Sequence, residues 1–122
     1  IGSLEKEMNL SSFLNFVKKQ LNSKVIRHSP PPNKLIKKVA VLGGSGSFAI
    51  EDAKRQGADA FITADLKYHQ FYQGEKSLLL VDVGHYESEQ YIKNLIFDYL
   101  TEKLPSFAFV LSRTKTNPVN YF

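Results

Sequence analysis

The chain has no cysteine. That excludes disulfides, thiolate metal sites and cysteine nucleophiles within it, and is compatible with a cytoplasmic home. No apolar run approaches the ~20 residues a membrane span needs. Residues 1–14 lack both the basic start and the continuous apolar stretch of a secretory signal. Neither membrane insertion nor a membrane partner is expected. Prolines number five, and three of them stand together as Pro30-Pro31-Pro32, the only linker-like stretch. No repeat at solenoid spacing and no other low-complexity tract interrupts the chain.

What remains is ordinary globular material. The 122 residues make one domain in size, and 43% are hydrophobic, including nine Phe and six Tyr. The chain opens on Ile1 rather than Met, so a piece of a longer protein is expected. Charge is uneven: residues 1–38 hold eight Lys/Arg against two Glu, and residues 39–122 hold eight against ten Asp/Glu. A basic segment can meet nucleic acid. No aromatic–basic stacking pattern joins these residues, so a solvated helix face and a basic linker are expected, without a nucleic-acid partner.

Residues 1–9 look irregular. Ser11 and Ser12 can cap a helix whose apolar positions Phe13, Leu14, Val17 and Leu21 keep helical spacing, with Asn22 as its stop. Residues 25–28 form a short strand candidate before the prolines. From Lys38 the pattern becomes regular. Strands are expected at 39–42, 60–63, 78–82 and 107–111, with helices at 48–56, 65–72 and 86–103. On the last helix Ile92, Leu95, Ile96, Tyr99, Leu100 and Leu104 trace one stripe, and Pro105 ends it. Strands alternating with helices imply an α/β fold, a mostly parallel sheet with covering helices. The expected division is residues 1–32, a helix, short strand and proline linker, and residues 33–122, an α/β lobe.

Ligands of parallel α/β sheets gather beyond the carboxyl ends of the strands. Here those ends carry residues 43–47, 63–69 and 82–89, so all the chemically interesting side chains fall on one edge. Gly44, Ser45, Gly46 and Ser47, continued by Phe48 and Ala49, match G-x-G-x-x-A between a strand and a helix. Asp65 follows 19 residues after Gly46. The loop is read as an anion-binding turn, with a dinucleotide fingerprint as an alternative; a tight turn that only needs positive φ gives the same pattern. Asp65 and His69 stand four apart, and a helix there would aim both at one point, as a ligand pair or an acid–base pair. An N-cap and a partly buried histidine are the plain alternatives. His85 and Glu89, also four apart, put an imidazole and a carboxylate on one helix face, half of a metal site. A helix cap and a first-turn acid are the alternatives there. Glu87 is expected to face solvent, and His28 to be structural or exposed. The loop is not G-x-S-x-G, so no serine-hydrolase elbow is present.

The strings V-A-V-L-G-G-S-G from Val39, G-A-D-A-F-I-T-A-D-L-K-Y-H from Gly57, D-V-G-H-Y-E-S-E from Asp82 and T-N-P from Thr116 occur in that order. Together they closely resemble the C-terminal part of the NIF-three-like proteins, the GTP cyclohydrolase 1 type 2 homologues. The resemblance runs along nearly the whole chain, with G-H-Y-E-S-E its most specific element. It implies one lobe of a two-lobed α/β fold, a centre of two divalent metal ions between the lobes, and a toroidal hexamer. It makes His85 and Glu89 metal ligands, and Asp65 and His69 residues of the same pocket. Ala64 stands where the family usually has Gly. The remaining ligands belong to an N-terminal half that this chain does not contain, so that half is the expected partner.

The function this implies is a metal-dependent hydrolase acting on a nucleotide-like substrate, with His69, oriented by Asp65, moving protons. A metal-binding scaffold or interaction protein without turnover is the alternative. A His/carboxylate site accepts zinc, iron or manganese among others. Two ligands leave an ion mostly hydrated, so the chain alone is expected to bind metal weakly and to be inactive.

Overall fold

The computed structural model describes residues 1–122. Its strands are β1 (Gly2–Met8), β2 (Arg27–His28), β3 (Ile36–Ser45), β4 (Ala60–Ala64) and β5 (Leu79–Asp82). Its α-helices are α1 (Leu10–Gln20), α2 (Ile50–Arg55), α3 (His85–Glu89) and α4 (Ile92–Lys103), with 3-10 turns at Ser47–Ala49 and Tyr68–Gly74. The chain divides into two compact units, Ile1–Ser88 and Glu89–Phe122.

The first unit holds one five-stranded sheet in the order β1-β3-β4-β5-β2. β3, β4 and β5 run parallel. The edge strands β1 and β2 run antiparallel to their neighbours. β4 and β5 are buried along their whole lengths, as continuous apolar runs must be when both faces of a sheet are covered. Alternation sorts their side chains. Ile62 and Val81 face the cluster that holds Phe13 and Val17 of α1, and Phe61 and Leu80 face the one that holds Ile50 and Ala53 of α2. Each such side chain contributes about 1.5–3 kcal/mol on burial.

Several expectations need correction. Residues 2–8 are a strand, not irregular: Leu4 and Met8 reach the core while Glu5, Lys6 and Glu7 interrupt any simple alternation. Residues 1–32 are not a separate piece, because they supply both edge strands of the sheet and the helix that covers one of its faces. The α1 cap is Asn9, whose Oδ1 accepts the Ser12 N–H at 2.9 Å, rather than Ser11 or Ser12. The helix expected at 65–72 is a 3-10 turn that starts at Tyr68, because Asp65 sits in the left-handed region at φ 58°.

In the second unit, the helical ladder restarts at Tyr91, whose carbonyl accepts the Asn94 and Leu95 N–H groups at 3.1 and 3.2 Å. α4 buries none of its residues, and its apolar stripe is open: Leu95 is 65% and Tyr99 59% exposed. The strand expected at 107–111 does not form, since this unit offers it no strand to pair with. No helix of the chain is long and apolar enough to cross a membrane.

Asp59 ties the starts of the parallel strands together. Its Oδ2 accepts the N–H groups of Lys37 and Lys38 at 3.0 and 2.7 Å, and Oδ1 pairs with Lys34 Nζ at 2.5 Å. Its own N–H reaches the Lys38 carbonyl, and its carbonyl accepts the Leu79 N–H. Burial pushes the Asp59 carboxyl up. The Lys34 ion pair and the two N–H donors outweigh that and hold it below its ordinary value. A depressed acid stabilises the fold above its unfolded pKa and loses that contribution as pH falls through the lower folded value. Asp59→Ala is therefore expected to cost about 1–3 kcal/mol at pH 7 and less at pH 3. Urea unfolding at both values checks it, and an equal loss at both would remove the carboxylate charge from the account.

Candidate functional site

Three loops leave the carboxyl ends of β3, β4 and β5, and one line of hydrogen bonds joins them. Ser45, the last residue of β3, donates its Oγ–H to Asp65 Oδ2. Asp65 follows β4, and the same oxygen lies 2.6 Å from His85 Nδ1. His85 opens α3 three residues beyond the end of β5. The hydrogen bond to His85, and then that from Ser45, hold the Asp65 carboxyl below its ordinary value. An ionised carboxylate only accepts, so the proton of this bond sits on His85 Nδ1. The His85 side chain is 52% exposed.

Beneath this line lies a buried anchor. Asp82, the last residue of β5, is 3% exposed. Its Oδ2 accepts the Leu66 N–H at 2.9 Å and pairs with Arg27 Nη2, while its Oδ1 accepts the Gly84 N–H at 3.1 Å. The carboxylate thus fixes the residue after Asp65 and the residue before His85. Ser88 adds a second tie, accepting the Gly44 N–H at 2.9 Å and donating to the His85 carbonyl at 2.8 Å.

The sequence reading placed Asp65 against His69. The structure places it against His85 instead, and His69 stands exposed in the 3-10 turn. The reason is the left-handed Asp65 backbone, which breaks any helix that would bring the two onto one face. Glu87 is buried rather than solvent-facing, because helical spacing and not alternation governs α3. Glu89 ends α3 and opens the second unit. His28 lies on β2, exposed, with Nδ1 2.8 Å from the Ser29 carbonyl. The chain holds no group of three or more His, Asp or Glu placed to take a metal ion.

The glycines of the loop have a reason in packing and turn geometry. Gly44 needs its left-handed backbone at φ 66°, its N–H is taken by Ser88, and its carbonyl accepts Thr63 Oγ–H at 3.0 Å. A Cβ on Gly46 would meet Thr63 Oγ1 at 2.2 Å and Leu42 Cδ2 at 3.0 Å. Ser45 is engaged with Asp65, and Ser47 begins a 3-10 turn rather than a full helix. Glycine is therefore required by packing and turn geometry. Ser88 and Asp82 are the site residues that sequence reasoning left without a role, and Ser45 was read as an anion contact rather than as the partner of Asp65; only nearness to strand ends could have marked them.

Gly46→Ala is expected to destabilise the chain by about 1–3 kcal/mol, since Thr63 is fully buried and cannot yield without losing its bond to Gly44. Chemical unfolding measures this. A variant as stable as the parent sequence would show that the loop has slack.

Comparison with known proteins bears on this geometry. The Duf34/NIF3 (NGG1p interacting factor 3) family profile matches residues 1–118. A GTP cyclohydrolase 1 type 2 homolog of Bacillus subtilis is 37% identical, over 99% of this chain and 34% of its own length. One from Clostridium perfringens is 35% identical, over 99% of this chain and 47% of its own length. The chain thus spans between a third and a half of these curated relatives. Among solved structures, the Bacillus cereus protein related to NIF3 superposes with a TM-score of 0.80 at 31% identity, covering 99% of this chain and 35% of that one. Staphylococcus aureus protein SA1388 gives 0.82 at 28% identity, over 98% and 40%. The parallel core, the glycine turn and the G-H-Y-E-S-E segment thus sit in a chain that belongs to the Duf34/NIF3 family.

Proposed function

We propose that this chain is one part of a larger metal-dependent hydrolase acting on a nucleotide-like substrate, and that His85 is a metal ligand through Nε2. The observation that carries the proposal is the 2.6 Å contact between His85 Nδ1 and Asp65. Metal-ligating histidines hold their second nitrogen against a carboxylate, which fixes the tautomer and the ring. Asp65 does that here, and Ser45 holds Asp65, so both are positioning residues. The names of the curated relatives, GTP cyclohydrolase 1 type 2 homologs, support the nucleotide-like substrate.

The donor set fits a metal only in part. His85 supplies one nitrogen, and no cluster of three donors exists within the chain. The part of Glu89 rests on the family resemblance alone. The other ligands would come from the N-terminal half of the full-length protein, whose relatives exceed this chain two- to threefold in length. The open apolar stripe on α4 supports a further protein surface covering it. A divalent ion, zinc, iron or manganese by donor chemistry, would supply Lewis-acid activation of water when bound. Homo-oligomeric assembly, as a hexamer, belongs to the same proposal. The incomplete donor set also favours a second reading, a metal-binding scaffold without turnover.

Elemental analysis of the full-length protein, with and without His85→Ala, tests the metal. Metal is expected in the unaltered protein and reduced by the substitution, with little in this chain alone. Asp65→Asn is expected to weaken metal affinity about 10- to 100-fold while leaving the ligand itself in place. A metal-free full-length protein would overturn the reading. Nucleotide hydrolysis that tracks metal content separates the hydrolase from the scaffold.

A further inference from the structure

A groove of about 620 Å³ lies within the first unit, between β2 and the 3-10 turn at Tyr68–Gly74. Neither the metal reading nor the family resemblance uses it. Its volume falls within the range of small-molecule sites, ~300–1,000 Å³. One wall is aromatic. Tyr68, Phe71 and Tyr72 stand three and four residues apart on one side of the turn, where side chains so spaced converge. The Tyr68 and Tyr72 rings meet edge to face, with centroids 5.6 Å apart and hydroxyls 2.8 Å apart. Both rings are largely exposed, at 77% and 67%.

The rest of the rim is cationic. Arg27 is held in place, its Nη2 bonded to the Leu66 carbonyl at 3.0 Å and to Asp82, with its guanidinium 5.4 Å from the Phe71 ring centre. Glu75 and Lys76 also line the groove. Both occupy the left-handed region, at φ 49° and 59°, where Glu75 caps the end of the 3-10 turn. The Glu75 carboxylate is paired with Lys54 at 3.3 Å, and that of Asp82 with Arg27. Lys76 makes no ion pair, so it is the charge left over at the rim.

We propose that this groove binds a planar heteroaromatic ring bearing an anionic substituent, the chemistry of a mononucleotide. The ring would lie against the Tyr68–Tyr72 pair, and the anion would meet Lys76. Open aromatic faces favour a flat π-system and tolerate different bases. A net cation at the edge favours a phosphate on that ring over a neutral ligand. The groove is too small to seat a folded partner, which needs roughly 800 Å² on each side. Because the groove lies on Tyr68 and Arg27, not on His85, its occupancy does not require metal.

The test is amide chemical-shift titration of the metal-free 122-residue chain with adenosine 5′-monophosphate, adenosine and ribose 5-phosphate. The nucleotide is expected to give saturable shifts confined to residues 27–30 and 68–76. Adenosine should bind more weakly, and ribose 5-phosphate at least tenfold more weakly than the nucleotide. Tyr72→Ala should weaken the nucleotide tenfold or more, whereas Tyr72→Phe, which keeps the ring, should stay within about threefold. Lys76→Glu should weaken the nucleotide while leaving adenosine unchanged. Shifts mapping elsewhere, no saturation at millimolar nucleotide, or ribose 5-phosphate binding as well as the nucleotide would each overturn the proposal. Metal is absent throughout, so failure here leaves the His85 reading untouched, and loss of that reading leaves this one standing.

Discussion

The Asp82 carboxylate is the constraint on which the active edge of the sheet depends. It sits at the end of a strand buried on both faces, where an unpaired charge would cost several kcal/mol. Three groups answer it: the guanidinium of Arg27 and the N–H groups of Leu66 and Gly84. Each of these also fixes something else. Leu66 follows Asp65, Gly84 precedes His85, and Arg27 spans from the edge strand to Phe71. A single buried acid therefore sets the positions of both the His85 line and the aromatic groove.

Above that anchor, the hydrogen bonds from Ser45 to Asp65 to His85 cross the ends of three parallel strands. Such a line has little freedom, because the strands on either side are in fixed register, Thr63 opposite Asp82 and Ala64 opposite Ser45. The left-handed backbone of Asp65 turns its side chain across the strand ends rather than along the following turn. Aspartate tolerates that conformation better than most residues do. The same kink leaves His69 outside the line. A proton-carrying imidazole needs a partner to hold its tautomer, and in this chain that partner serves His85.

Much of the architecture was legible before any coordinates. The apolar stretches at 60–63 and 78–82 marked strands, the second continuous as in a strand covered on both faces, and the alternation with helices implied a mostly parallel sheet. The collection of glycine, acid and histidine segments at the carboxyl ends of those strands also held. Three things were hidden. β1 carries three charged residues in a row, so no local pattern announced a strand that pairs with β3 and reaches the core through Leu4 and Met8. The segment 107–111 had strand composition but lacks a neighbour to complete its hydrogen bonds. Gly46 looked like part of a phosphate cradle, and the nearness of Thr63, a further reason for glycine there, was hidden.

The sequence by itself determined the elements whose signal is local: the α1 amphipathic spacing, the buried strand runs, the glycine-bounded turns and the motifs of the Duf34/NIF3 family. It also named His85, Asp65 and Glu89 as residues with chemistry to offer. Only the tertiary structure decided which of them meet. Spacing of four along the chain suggested that Asp65 and His69 were partners, but a partner 20 residues away on the next strand end lies closer. Parallel strands bring loops together that are remote in sequence, and that proximity follows from sheet register, which no local pattern encodes.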